Sequence, residues 1–275
     1  MSLTIASINS GSNGNCYYIG NGEDAVFIDA GISCREIEKR MARLGLDIQK
    51  IKAVFVSHEH ADHIRGIPVL SKKYGLPVYI SPATLQNSRM DLQDVISFAA
   101  NETIKIGELE IFTFSKFHDA ADPYSFNVHS GGITIGIFTD IGTVCNNLIT
   151  HFKQCHAVFL EANYDDELLE NGNYPFHLKK RIKSGWGHLS NAEALDLFKE
   201  HKAEYLQLVL LSHLSKDNNN PELVKGLFER CSANTEIAIA SRYSESMVYE
   251  IKLSENAELF CNKMIKKQGQ QLSLF

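Results

Sequence analysis

No apolar run in this 275-residue chain approaches the ~20 residues that a membrane span needs, which excludes a helical membrane protein. The N-terminus, Met1-Ser2-Leu3-Thr4-Ile5, lacks the basic segment and cleavage site of a signal peptide, so the protein is expected to stay in the cytoplasm. The six cysteines, at 16, 34, 145, 155, 231 and 261, form no Cys-x-x-Cys pair and no regular framework. Reduced, mostly buried thiols are therefore expected rather than disulfides or a structural zinc site. Positive charge is scarce: 27 Lys and Arg stand against 33 Asp and Glu, a net charge of −6. That argues against a whole-surface nucleic-acid binder, although a local basic stripe can still receive phosphates. Internal repeats, long low-complexity segments and a clear linker are also missing. With 44% hydrophobic residues the chain can bury a large core, as one α/β domain or as two closely packed halves.

The densest chemistry lies in His58-Glu59-His60-Ala61-Asp62-His63, directly after the apolar run Ile51-Lys52-Ala53-Val54-Phe55-Val56. A strand that delivers ligands to its own end has this form. In an extended segment His58 and His60 point the same way, and a turn after Ala61 swings Asp62 and His63 onto a neighbouring position. Two adjacent metal sites are the natural product. Imidazole with carboxylate suits zinc, manganese or iron, and a metal pair can clamp the attacking and the leaving oxygen of a displacement. Hydrolysis is the leading reaction class. The competing reading is a histidine-rich polar turn at the surface.

Short β-rich runs at Tyr17–Ile19 and Ala25–Ile28, separated by Asn21-Gly22, predict a hairpin, followed by a helix over Ser33–Leu44. After the histidine cluster come a helical pattern to Tyr74, a strand Val78–Ile80, a helix Ala83–Phe98, and strands Leu109–Phe117 and Gly132–Thr139. The second half predicts a strand at Ala157–Leu160, a helix Asn191–Lys202, a strand Leu206–Leu211, a helix Pro221–Cys231 and a strand Glu236–Ala240. Two β-rich halves with outer helices make a sandwich. The weakest points for a break are 165–187 and 266–270, and we divide the chain into a catalytic domain, 1–265, and a tail, 266–275.

A metal pair needs more ligands than one cluster offers, and four polar residues stand where predicted strands meet loops: Asp29, His118, Asp140 and His213. Singly, each reads as well as a cap or a surface group. Together with the first cluster, their order along the chain resembles the metallo-β-lactamase superfamily, whose motifs run Asp, His-x-His-x-Asp-His, His, Asp, His. That resemblance implies a four-layer αββα sandwich of two mixed β-sheets flanked by helices, with two divalent metal ions at the common edge of the sheets. By it, His58, His60 and His118 hold one ion, Asp62, His63 and His213 the other, and Asp140 bridges. Asp29 is implied as an orienting carboxylate.

Three segments, Ser10-Gly11-Ser12-Asn13-Gly14-Asn15-Cys16, Gly187-His188-Leu189-Ser190-Asn191 and Ser212-His213-Leu214-Ser215-Lys216-Asp217-Asn218-Asn219, resemble the YycJ (WalJ) branch. That branch is associated with 5′ to 3′ DNA exonuclease activity in mismatch repair. Leu160-Glu161-Ala162 with Gly187-His188 also resembles the Glu and His that assist proton transfer in tRNA 3′-processing nucleases. The resemblance implies Glu161 and His188 as a proton-donating pair, with Asp62 the third residue expected to carry catalysis; the other reading of His188 is a neighbour of the cap of the Asn191 helix.

The chain ends Gln271-Leu272-Ser273-Leu274-Phe275, which resembles the bacterial sliding-clamp-binding pentapeptide. Gln271, Leu272, Leu274 and Phe275 are the residues such a contact uses, and packing back on the chain's own domain is the alternative. Lys179, Lys180, Arg181 and Lys183 concentrate charge beside Trp186, the one tryptophan, in a segment that can track a phosphate backbone and stack a terminal base. A solvated loop is the competing reading. The function expected from all this is a dinuclear phosphodiesterase, a 5′ to 3′ DNA exonuclease of DNA repair that uses a metal-bridging hydroxide. An RNA-processing nuclease or a small cyclic phosphodiesterase on the same scaffold is the alternative, and a clamp-bound repair adaptor is the non-enzymatic one.

Overall fold

The computed structural model describes residues 2–253, so the tail 266–275 and its clamp-like motif lie outside the described residues. The chain opens with strands β1 (Ser2–Asn9), β2 (Cys16–Gly20) and β3 (Ala25–Ile28), the last two forming the hairpin expected around Asn21-Gly22. Helix α1 (Cys34–Leu44) follows, capped by the Ser33 side chain and closed by Gly45 in the left-handed conformation. Then come β4 (Ile51–Phe55), the single helical turn α2 (Ala61–Ile64), α3 (Ile67–Tyr74), β5 (Val78–Ile80), α4 (Pro82–Ser88) and β6 (Val95–Ser97). The middle is β-rich: β7 (Thr103–Ile106), β8 (Leu109–Ser115), β9 (Tyr124–Ser130) and β10 (Ile133–Phe138). The last part alternates: α5 (Asn146–Phe152), β11 (Ala157–Glu161), α6 (Asp166–Asn171), α7 (Phe176–Ile182), α8 (Asn191–His201), β12 (Leu208–Ser212), α9 (Pro221–Glu229), β13 (Glu236–Ile239) and β14 (Tyr249–Lys252).

Among the described residues these strands form two seven-stranded mixed sheets, ordered β14-β1-β2-β3-β4-β5-β6 and β13-β12-β11-β10-β9-β8-β7. Period-two alternation explains why the sheets stack. Val26 and Ile28 face the core between the sheets with Phe159 and Leu210, whereas Ala25 and Phe27 face outward onto Ile37 and Met41 of α1. In the second sheet Val158, Leu160, Val209 and Leu211 face outward onto Phe152, Leu197, Phe198 and Phe228 of α5, α8 and α9. Sheet against sheet with helices on both outer faces is the expected four-layer αββα sandwich.

The helix expected over Ala83–Phe98 is a correction: α4 ends at Ser88, where Arg89 turns left-handed with φ 54°, and Val95–Ser97 pairs in parallel with β5 as an edge strand. A three-residue edge strand, its residues exposed or half-buried, leaves no apolar alternation to read. Strands β1, β7, β9 and β14 and helix α5 also went unpredicted. The segment 165–187, expected as a break, instead carries α6 and α7 and folds against the ends of the second sheet.

Candidate active site

The potential metal ligands gather at strand ends on one edge shared by the two sheets, and His188 joins them from the loop between α7 and α8. His58 and His60 follow β4, and the turn expected after Ala61 is the first turn of α2, which carries Asp62 and His63. His118 follows β8, Asp140 follows β10, Glu161 ends β11 and His213 follows β12. Three of these termini are backbone outliers: Asp29, Asp140 and His213 take φ values of 60°, 55° and 56°. Side chains seldom hold that left-handed region outside turns and functional sites, and here it aims polar groups away from the ladder they terminate.

The side chains converge in two trios. Nε2 of His58 and Nε2 of His118 lie 3.1 and 3.3 Å from Nδ1 of His60. Donors sharing one tetrahedral ion at bond lengths of 2.0–2.1 Å would be separated by roughly 3.3 Å. Asp62, His63 and His213 offer donor atoms within 4.8 Å of one another. Between the trios stands Asp140, whose Oδ2 is 3.1 Å from Nε2 of His63 and whose Oδ1 is 3.8 Å from Nε2 of His118. Oδ2 of Asp140 and Nε2 of His213 are buried without a well-formed hydrogen bond, their polar neighbours being His63 at 3.1 Å and Asp62 at 3.5 Å. Buried polar atoms are nearly always paired, so two such atoms in the middle of an imidazole and carboxylate cluster fit a pair of divalent cations.

The remaining hydrogen bonds fix which imidazole nitrogens face inward. Asp29 accepts from Nδ1 of His63 at 2.7 Å and from the Ser57 hydroxyl at 2.7 Å, and that hydroxyl in turn accepts from Nδ1 of His58 at 2.8 Å. One carboxylate thus reaches a histidine of each trio, His63 directly and His58 through Ser57. His118 donates from Nδ1 to the Gly187 carbonyl at 2.9 Å. Glu161 lies 2.9 Å from Nδ1 of His188 and 3.0 Å from Nδ1 of His213 through the same oxygen, while its other oxygen accepts the Ile141 amide. The α8 cap is a Ser190–Glu193 capping box, and His188 just before it turns to Glu161.

The electrostatics divide the trios. Burial, together with the charges of His63 and Lys116, pushes His58 well below its ordinary pKa, and burial pushes His118 down to about 4. Burial also opposes charge on His63, but Asp140, Asp29 and Asp62 outweigh it and raise its pKa to about 10. His213 is likewise raised, by Asp140, Asp62 and Glu161 against burial. Burial disfavours the ionised carboxylates as well, yet His188 and His213 hold Glu161 at about 2 and His63 and His213 hold Asp62 at about 2. In the first trio burial disfavours charge on His58 and His118; in the second, the surrounding carboxylates favour positive charge on His63 and His213.

Sequence reading missed several residues that hold this arrangement. Asn15 points its amide nitrogen at Nε2 of His63 (3.0 Å) while its oxygen accepts the Gly11 amide, Asn163 donates to the His213 carbonyl at 2.7 Å, and the buried Lys116 donates to the Thr139 carbonyl at 2.6 Å. Only Asn15 lay in a motif, and nothing in that motif marked its amide. Of the basic stripe, Arg181 alone lines the cleft of about 310 Å³ above the trios, with Ser12, His60, Asp62, Asp140, His188 and His213, and it is paired with Asp119. Lys179 donates to the Glu170 carbonyl and Lys183 lies near Asp166, both on α6, so neither reaches the cleft; Lys180 is exposed and Trp186 is 53% exposed at the rim.

Residues 25–213 match the family model described as the beta-lactamase superfamily domain. The chain belongs to that superfamily. Within it, the exodeoxyribonuclease YycJ of Bacillus anthracis is 33% identical over 232 residues, covering 82% of this chain and 87% of the relative. The exodeoxyribonuclease WalJ of Streptococcus pneumoniae is 32% identical over 221 residues, covering 78% and 82%. The chain is thus a member of the YycJ/WalJ branch of the β-lactamase superfamily. The metallo-β-lactamase fold protein YhfI of Bacillus subtilis superposes with a TM-score of 0.70 over 91% of this chain and all of its own, at 18% identity, which speaks for the fold alone. This superfamily member is an enzyme, a metallohydrolase, and no helix among its described residues is long and apolar enough to cross a membrane.

Proposed function

We propose that the chain is a dinuclear metal-dependent phosphodiesterase that removes nucleotides from the 5′ end of DNA during repair. The observation that carries this reading is the Glu161–His188 dyad, 2.9 Å apart, in which His188 lines a cleft shared with members of two potential metal trios and Glu161 is buried behind it. The DNA substrate is supported by likeness to relatives named exodeoxyribonucleases. In this reading His58, His60 and His118 would hold one divalent ion and Asp62, His63 and His213 the second, with Asp140 available to both. Ions bound there supply Lewis acidity, which brings water near deprotonation at neutral pH and neutralises charge on a phosphodiester. Zinc, manganese and iron all suit the donor set.

The chain's own residues supply the rest. Glu161 fixes the tautomer of His188, keeping its proton on Nδ1 when neutral, and stabilises the imidazolium when charged. The protonated Nε2 then gives its proton to the leaving oxygen, so the departing strand leaves as a neutral hydroxyl. Arg181, locked by Asp119, places a guanidinium at the cleft for a phosphate. A sliding clamp bound through Gln271, Leu272, Leu274 and Phe275 would bring this site to DNA.

The test is degradation of 5′-labelled and 3′-labelled linear DNA, and of the matching RNA, by purified protein with manganese or zinc beside the Asp62→Ala variant. Metal-dependent loss from the 5′ end of DNA that the variant lacks is expected; degradation of RNA alone would replace the substrate, and equal activity in the variant would remove the site.

Metal binding should depend on pH at the second trio and gain no such dependence from His58 and His118 at the first. When the protein is stripped of metal, His63 and His213 are protonated at neutral pH, so an ion entering that trio displaces protons. Its affinity should rise by about tenfold per pH unit for each proton displaced between about pH 6 and 8. At the first trio His58 and His118 are already neutral there, and they add no such slope. Calorimetry in buffers of different ionisation heat counts the protons; two sites without proton release would contradict the charge division.

A further inference from the structure

Two exposed aromatic side chains stand beside the cleft without belonging to any part of the core. Phe117, next to His118, is 40% exposed, and Trp186, two residues before His188, is 53% exposed. Their ring centroids are 5.3 Å apart with planes at 75°, an edge-to-face pair. Neither ring packs in any of the hydrophobic clusters that join the sheets and helices. What holds the pair is backbone. The Gly142 amide donates to the Phe117 carbonyl at 2.6 Å, and a Cβ on Gly142 would lie 2.3 Å from the Gly185 carbonyl and 2.6 Å from the Trp186 Cα. Gly142 is two residues beyond Asp140, so one loop positions both the shared carboxylate and the aromatic pair. Their near neighbours in the chain reach the site: His118 and His188 approach to 5.4 Å between ring centroids, and His188 lines the cleft with Arg181.

We infer that Phe117 and Trp186 form a stacking subsite for an unpaired nucleobase of the strand being cut, with Arg181 taking its phosphate; this rests on the phosphodiesterase reading given above. Large apolar rings left in water cost free energy unless a ligand covers them, and an aromatic face accepts any base because every base has a π-face. Arg181, which lines the cleft and pairs with Asp119 two residues beyond Phe117, supplies the backbone contact that single-strand binding combines with stacking. The subsite selects a strand by the presence of a base rather than by its sequence, and a paired end must open to use it.

Trp186 is the only tryptophan in the chain, so the subsite is its own reporter. Zinc-loaded full-length protein is titrated with a nuclease-resistant phosphorothioate oligothymidylate and with an abasic deoxyribose strand of equal length. Tryptophan emission should be quenched by the thymidylate strand and left unchanged by the abasic one, with thymidylate bound about 5- to 150-fold more tightly. Trp186→Leu and Phe117→Ala should each erase most of that discrimination, read by anisotropy of labelled strands, and the zinc content and thermal melting of each variant verify its fold. Equal quenching by both strands, or no quenching by a thymidylate strand that binds and is cut when unprotected, overturns the subsite and leaves the phosphodiesterase standing. Failure of the protein to bind or cut any strand overturns both.

Discussion

Asp140→Asn is expected to empty the site of metal and to lower phosphodiester cleavage by about three orders of magnitude or more. Its carboxylate reaches His63 of one trio and His118 of the other, and its Oδ2 has no other partner. The amide keeps the shape and removes the charge that the second trio uses to balance cations. Asparagine also tolerates the left-handed backbone that Asp140 occupies at φ 55°, so the variant should fold. Elemental analysis of dialysed protein beside a cleavage assay checks it. Two ions per chain with activity within tenfold of wild type would show that Asp140 is not shared.

His188→Ala should cost about 10²–10⁴-fold on DNA, the range that proton transfer from a positioned side chain supplies. The loss should depend on the leaving group. Bis(4-nitrophenyl) phosphate releases a phenolate that needs no proton, so on that substrate the variant should stay near wild type. Metal content should be unchanged, because Glu161 still orients His213. An equal loss on both substrates would mean that His188 positions the site rather than donating the proton.

What the sequence disclosed followed from its physics. The buried strands β4, β11 and β12 read as apolar runs because helices cover one face and the opposite sheet covers the other, and each run ends where a polar residue enters the site. The histidine cluster was legible because its ligands adjoin in the chain. Glu161, Asn15, Asn163 and Lys116 act through contacts that only the closed sandwich creates, and of these the family resemblance pointed to Glu161 alone. The basic stripe illustrates the loss. Read as one segment it offered four cations to a phosphate, but α7 places Lys179 and Lys183, four apart, on one side toward α6, and Arg181 on the side toward the cleft. Edge strands β6 and β7 went unseen because they are only three and four residues long; β7 does alternate, Thr103-Ile104-Lys105-Ile106, but over too short a run to stand out.

Each trio draws its members from both sheets: His58 and His60 from the end of β4 with His118 from the end of β8, and Asp62 and His63 beside β4 with His213 from the end of β12. Ions held there would rivet one half of the sandwich to the other across a gap that no strand pairing spans. The second coordination sphere cannot form before residue 213 is in place, since its members run from residue 62 to residue 213, whereas those of the first run from residue 58 to residue 118. Loading would therefore act as a late proofreading step in assembly, with resistance to unfolding set by free metal and reaching about 2.7 kcal/mol at a hundredfold excess over the dissociation constant.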